Sequence, residues 1–121
     1  TIEGVTAKFE ASDQNEINMI RWMYRMEKDR VAQVIEELRE DDVFFDIGAN
    51  LGLYTTFASK KLGKGKVDSF EPYPPNVEVL KKNANRNGNN INIHEIALSN
   101  SQGTINFQQS DETVGSQVGA I

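Results

Sequence analysis

Asp46, Gly48, Asn50 and Gly52 fall at alternate positions straight after the apolar run Val43-Phe44-Phe45. A carboxylate followed by spaced glycines suits a turn where a strand ends against a ligand. Glycine lets the backbone approach closely, and the carboxylate accepts hydrogen bonds. Such a turn binds something phosphate-like or nucleoside-like. A dinucleotide fingerprint needs glycine at 50 and 53, where this chain has Asn50 and Leu53, and no Gly-Lys-Ser/Thr follows to make a P-loop. A second acid, Glu71, closes the stretch Val67 to Phe70 and precedes Pro72, Pro74 and Pro75.

The elements that must position these residues follow from periodicity. Val43 to Ile47 shows no alternation and reads as a strand buried on both faces. Leu53, Tyr54, Phe57, Ala58 and Leu62 recur at helical spacing, with Gly63 placed for a left-handed cap after Lys60 and Lys61. Val67 to Phe70 reads as a second strand, with Asp68 accounted for only by an incompletely covered sheet face. The prolines then start a helix with a Val77, Leu80, Ala84 stripe, Glu78 in its first turn, Arg86 in its last and Gly88 at its cap. Ile91 and Ile93 alternate, but Ile96 and Leu98 are in the opposite phase, so the third strand ends or bulges near Glu95. Strand-helix-strand-helix-strand predicts an α/β fold with parallel strands in order 3-2-1 and right-handed crossovers. That topology brings Asp46 and Gly48, Glu71, and the Ala97-Leu98 backbone to one crevice. N–H groups at the helix start after Gly52 suit a ligand carboxylate.

Asp46-x-Gly-x-Asn-x-Gly followed by Tyr54-Thr55 resembles the first motif of FkbM-type S-adenosylmethionine-dependent methyltransferases, with Asn50 replacing the usual middle glycine. Phe70-Glu71-Pro72 with Asn76, the helix ending at Asn87-Gly88, and Ala97-Leu98-Ser99 before Gly103 match that family in order and spacing. The resemblance implies a partial Rossmann-like methyltransferase fold, S-adenosylmethionine as cofactor, and O-methylation of a small metabolite or sugar hydroxyl. It puts Gly48, Asn50 and Gly52 at the methionine end, Glu71 at the ribose hydroxyls, and Ala97-Leu98 near the adenine, with Ala49 also in the expected cofactor set. Tyr54, Thr55, Pro72 and Asn76 complete the expected cofactor set, and no catalytic residue is assigned. Duller roles stay open: Asp46 could merely cap the turn's amides, and Asn50 and Thr55 could be turn and helix residues only. His94, the sole histidine, has no metal partner nearby in sequence, and no metal site is expected.

Around this core, Val5, Ala7 and Phe9 within Ile2 to Phe9 suggest a short strand or extended arm. Asp13 and Glu16 form a capping-box-like start to one bent helix or two, with Glu27-Lys28-Asp29-Arg30 as a break or an exposed turn. Trp22 and Met26 on it are read as packing against the sheet. After Asn100-Ser101-Gln102-Gly103, Thr104, Ile105 and Phe107 read as an antiparallel strand, and 111–121 as a tail with no element of its own. The chain thus divides into an arm and helix over 1–40, a cofactor-binding half-domain over 41–109, and a polar tail or linker over 110–121. The fourth strand with an acidic end that follows in the family is not found, so the chain reads as a half-domain inactive by itself. The alternative is a non-catalytic nucleoside-binding or assembly module. The strand edge at 43–47 would then be open to self-association.

Composition bounds the rest. The 121 residues carry net charge −5, which argues against a nucleic-acid surface, and no cysteine. Mean hydropathy is −0.52, and no apolar stretch approaches a membrane helix. A soluble cytoplasmic protein with a small-molecule substrate is the expectation.

Overall fold

The computed structural model describes residues 1–104 and the two-residue strands at 108–109 and 119–120. Asp13 caps α1 (Gln14–Glu37): its Oδ1 accepts the Glu16 N–H at 2.9 Å, while Glu16 Oε2 accepts the Ser12 N–H at 2.7 Å. This is the reciprocal arrangement expected of Asp-x-x-Glu. The charged run at 27–30 does not break the helix; Glu27 and Arg30 pair across one turn at 3.5 Å.

β1 (Val43–Ile47), α2 (Leu53–Lys61), β2 (Lys66–Phe70), α3 (Pro74–Asn87) and β3 (Ile91–His94) follow in order. The three strands form one parallel sheet, β1-β2-β3, with Phe45 opposite Asp68, Ile47 opposite Phe70, and Phe70 opposite His94. β3 stops where the apolar phase changes, at a tight turn in which the Ile96 N–H meets the His94 carbonyl at 2.9 Å. Among the described residues no helix is long and apolar enough to cross a membrane.

The core lies on one side of the sheet. Phe44, Val67 and Ile91 pack with Ala58 and Leu62, and α1 adds Met23, Val31 and Ile35 against Leu51, Leu53 and Phe57. The other side is bare: Val43, Phe45 and Ile47 are 52%, 60% and 64% exposed. The reading of β1 as buried on both faces is therefore corrected. Its run lacks alternation because both faces are apolar, yet helices cover only one of them. Asp68 lies on the bare face, which accounts for its presence in the strand. The same bareness holds for Trp22 and Met26, which are solvent-facing and not packed on the sheet.

Two glycines differ from expectation. Gly63 is not in the left-handed region. α2 ends at Leu62, and the tight spot is Gly65, where a Cβ would lie 2.0 Å from the Asp42 carbonyl oxygen. Gly88 caps α3 in extended conformation, φ 172°. Thr104 belongs to no strand, and Ile105 and Phe107 lie outside the described residues. The antiparallel pair is instead β4 (Gln108–Gln109) with β5 (Gly119–Ala120), so a short strand stands within the stretch expected to have none. The rest of that stretch lies outside the described residues.

The N-terminal segment is an arm and not a sheet strand. Lys8 N–H donates to Asn87 Oδ1 at 2.7 Å, Asn87 Nδ2 donates to the Lys8 carbonyl at 2.6 Å, and Glu10 N–H donates to Asn83 Oδ1 at 2.8 Å. Two asparagines one helical turn apart thus replace a neighbouring strand, satisfying backbone groups that would otherwise be stranded. Glu10 also pairs with Arg86 at 3.0 Å, and Phe9 rests against Phe57. Asn87→Ala should strip both Lys8 backbone groups of partners and cost about 1–3 kcal/mol in urea unfolding. The Lys8 amide should also exchange faster with solvent. Unchanged stability and exchange would mean the arm is held by Phe9 alone.

Candidate functional site

The crevice begins where β1 and β2 end. Gly48 N–H and Ala49 N–H both donate to the Phe70 carbonyl, at 2.8 and 3.0 Å, stitching the glycine turn to the end of β2. Gly48, Asn50 and Gly52 have φ of 76°, 54° and 97°, so the turn needs left-handed backbone at alternate residues. At Gly52 space is also limiting, since a Cβ would lie 2.8 Å from Leu80 Cδ1 on α3; at Gly48 a Cβ would meet nothing within 4 Å. Gly48 therefore borders open space, whereas Gly52 serves helix packing.

Glu71 fixes the turn from the other side. Its Oε1 accepts the Asn50 N–H at 2.9 Å and its Oε2 the Tyr73 N–H at 2.9 Å, while its own N–H donates to the His94 carbonyl at 3.1 Å. One buried carboxylate thus holds the glycine turn and the entry to α3 in place, and each oxygen keeps a second lone pair for another donor.

Asp46 points to the helix side of the sheet, against the start of α2. Its Oδ2 accepts the Thr55 hydroxyl at 2.6 Å, and its carboxylate also receives the Thr55 backbone N–H. Gly52, at the N-cap of α2, supplies no side chain, so a carboxylate from β1 does the capping instead. The helix-start amide that suited a ligand carboxylate is thus partly taken by the protein itself. Thr55 Oγ1 lies 2.6 Å from Ser69 Oγ; with its proton on Asp46, Thr55 accepts from Ser69. Ser69 was not legible in the sequence, because a lone serine in an apolar strand carries no spacing signal. Burial raises the Asp46 pKa above 3.8, the Thr55 hydrogen bonds oppose the rise, and the nearby Glu71 charge adds to it.

The expected residues fall into three groups. Asp46, Gly48, Ala49, Asn50, Thr55 and Glu71 meet at the strand ends, and buried Asn76 lies in the first turn of α3 just beyond Glu71. Pro72, Ala97 and Leu98 line an adjoining cavity of about 680 Å³ with Ile96 and Thr104. Tyr54 is turned away: its hydroxyl donates to Glu27 of α1 at 2.7 Å, and burial together with that carboxylate pushes its pKa up to about 12. Nor does His94 face the turn. It bonds Asp68 at 3.0 Å and stacks on Phe70 on the bare face, where this bond holds the Asp68 carboxyl below 3.8.

The donor set selects the ligand. The amides of 48, 49, 50 and 52 all have partners within the protein, and two carboxylates stand among them. A phosphate would find negative charge in place of free N–H groups, so the arrangement favours a ligand rich in hydroxyl or cationic groups.

Fold and site together define a Rossmann-like half-sheet with an acidic crevice at its carboxyl ends, and methyltransferases are among the proteins the chain resembles. It is 34% identical over 109 residues to the hexuronic acid methyltransferase AglP of Haloferax volcanii, covering 90% of this chain and 44% of that protein. It is 37% identical over 67 residues to the 31-O-demethyl-FK506 methyltransferase FkbM of Streptomyces tacrolimicus, covering 55% and 26%. Over 73 residues it is 32% identical to the methyltransferase sdnD of Sordaria araneosa, covering 59% and 28%. No family model matches. The chain is thus a homologue of methyltransferases, the FkbM type among them, and spans less than half the length of these relatives.

The raised Asp46 pKa has a definite sign in stability. The folded state holds this proton more tightly than the unfolded chain does, so the stability it contributes is present below pH 3.8 and lost as pH rises through the folded value. At neutral pH the ionised group is a cost. Asp46→Asn, which keeps an acceptor for Thr55, should therefore melt higher than the parent at pH 7, the difference shrinking toward pH 3.8. Thermal scans across pH check this, and an unchanged or lower melting point at pH 7 would contradict it.

Proposed function

We propose that this chain binds S-adenosylmethionine and is the cofactor-binding part of a methyltransferase that O-methylates a sugar or small-metabolite hydroxyl. The observation that carries the reading is Glu71: a buried carboxylate at the end of the second strand, oriented by two backbone N–H groups, with a lone pair left on each oxygen. Two adjacent ribose hydroxyls present two donors at matching spacing, and charged hydrogen bonds of this kind are strong. Asp46 and the turn carbonyls provide the negative surroundings that suit the ammonium and sulfonium of the cofactor's methionine end. The open Cα face of Gly48 lets that end approach the backbone. Pro72, Ala97 and Leu98 offer an apolar wall for the adenine. The chemistry the cofactor supplies is an electrophilic methyl group on a positively charged sulfur. An oxygen acceptor accords with relatives named for a hexuronic acid and for 31-O-demethyl-FK506.

Calorimetric titration with S-adenosylhomocysteine tests the assignment. Glu71→Ala should weaken binding by about 1–3 kcal/mol, through lost charged hydrogen bonds and loosened Asn50 and Tyr73 amides. Equal affinity in parent and variant would remove Glu71 from the ribose role, and tighter binding of NAD than of S-adenosylhomocysteine would point to a dinucleotide enzyme.

Gly48→Val addresses the turn separately. Its φ of 76° costs a residue with a Cβ about 1–2 kcal/mol, and the added methyls would occupy the open space above the turn. Binding should be lost while circular dichroism retains the helix signal. Parent-like titration would place the ligand elsewhere.

A further inference from the structure

Asn83 of α3 is fully buried, and its carboxamide is used at both ends. Nδ2 donates to the Leu51 carbonyl at 2.7 Å, while Oδ1 accepts the Glu10 N–H at 2.8 Å. Leu51 stands in the glycine turn between Asn50 and Gly52, and Glu10 belongs to the N-terminal arm. One side chain thus joins the backbones of two segments distant in sequence. From β2 the turn is held by its N–H groups, those of Gly48 and Ala49 on the Phe70 carbonyl and that of Asn50 on Glu71. From α3 it is held by a carbonyl. The turn runs close over that helix, since a Cβ on Gly52 would lie 2.8 Å from Leu80 Cδ1 and 4.0 Å from Asn83 Cβ.

Only a group that both donates and accepts can serve here. A carboxylate would set an acceptor against the Leu51 carbonyl, and a leucine would leave that carbonyl and the Glu10 N–H without this partner. Asn87, one turn on, grips the arm at Lys8. Asn83 grips arm and turn together. Side chains reinforce the link, because Val5, Ala7 and Phe9 of the arm pack against the cluster that contains Leu51.

We infer that Asn83 is a positioning residue for the crevice, and that docking of the arm and binding of ligand at the glycine turn are coupled through its carboxamide. The inference rests on the reading of the turn as the S-adenosylmethionine site. With the arm docked, the Glu10 N–H fixes Oδ1, which sets the plane of the amide and aims Nδ2 at Leu51. With the arm released, the amide is free to rotate and the Leu51 carbonyl loses its fixed donor. The residues on either side, Asn50 and Gly52, have φ of 54° and 97°, and this left-handed backbone relaxes when its support goes. Coupling of this kind is reciprocal: a ligand that needs the ordered turn must in return hold the arm.

Two substitutions at one arm position test this without touching the crevice. Glu10→Pro removes the N–H that reaches Asn83, whereas Glu10→Ala keeps it and removes the exposed ion pair with Arg86. With parent-like circular dichroism established for both, calorimetric titration with S-adenosylhomocysteine should find Glu10→Pro weaker by about fivefold or more. Glu10→Ala should stay within about twofold of the parent, as expected for loss of a surface pair. In the parent, saturating S-adenosylhomocysteine should slow hydrogen exchange at the Glu10 amide by about fivefold or more. The Arg39 amide, held by Asp42 before β1, should keep its rate. In an Asn83→Ala background, Glu10→Pro should cost no further affinity; an equal further loss would remove Asn83 as the link. If Asn83→Ala does not fold, the Glu10 pair decides alone. Parent-like affinity in Glu10→Pro, or a Glu10 amide indifferent to bound ligand, would overturn the inference and leave the cofactor reading standing. If the parent takes no S-adenosylhomocysteine, the cofactor reading falls and the Gly52 amide decides the coupling. Faster exchange there in Glu10→Pro but not in Glu10→Ala would uphold it, and parent-like rates in both would overturn it.

Discussion

The Glu71 carboxylate is the constraint on which the crevice depends. One oxygen takes the Asn50 N–H and the other the Tyr73 N–H, so the turn leaving β1 and the turn entering α3 share a single anchor. The Phe70 carbonyl just before it takes two more amides of the glycine turn. The left-handed backbone at 48 and 50 is therefore held by the end of β2, while the Gly52 N–H bonds the Ala49 carbonyl within the turn at 2.9 Å. Removing that end would leave several buried amides without partners, each costing more than the bond itself contributes. The crevice is thus organised by contacts within the chain itself, with the Glu71 and Asp46 carboxylates among them.

Asp46 shows the other half of the same economy. A helix that begins at a glycine N-cap lacks its own capping side chain, and α2 is only nine residues long. The carboxylate from β1 meets its Thr55 amide and hydroxyl, and the Ser69 hydroxyl completes the chain from β2. Three elements are joined through groups that could not be buried singly. Burial still disfavours the charge, so Asp46 is retained against a standing cost in stability.

Much of this was legible because it rests on local rules. The Asp13 cap, the proline start of α3, the end of β3 at the change of apolar phase and the strand order all follow from spacing over a few residues. Asp46 and Glu71 were found because an acid at the end of an apolar run has few other reasons to be there. What could not be read depends on contacts between distant segments. Asn83 and Asn87 look like ordinary helix polar residues until the arm at Lys8 and Glu10 is laid against them. Tyr54 belongs to the cofactor motif by position, yet Glu27 lies within its reach and takes its hydroxyl. Trp22 and the odd-numbered residues of β1 were expected inside because hydrophobicity reports a preference for burial, not the presence of something to bury against.

Strand pleating ties these observations together. Along β1, Phe44 and Asp46 turn toward the helices while Val43, Phe45 and Ile47 turn away, and along β2 Val67 and Ser69 oppose Lys66, Asp68 and Phe70. A slip of one residue would move Asp46 and Ser69 out of reach of Thr55 and push Phe45 and Phe70 into the core in their place. The polar chain at Thr55 therefore specifies the register that leaves the apolar row outside. The outward row of β1 is apolar, and it can become polar only through substitution at those positions, not through register. Those outward positions alternate along the strands with Asp46 and Ser69, and Phe70 among them also anchors the glycine turn through its backbone carbonyl.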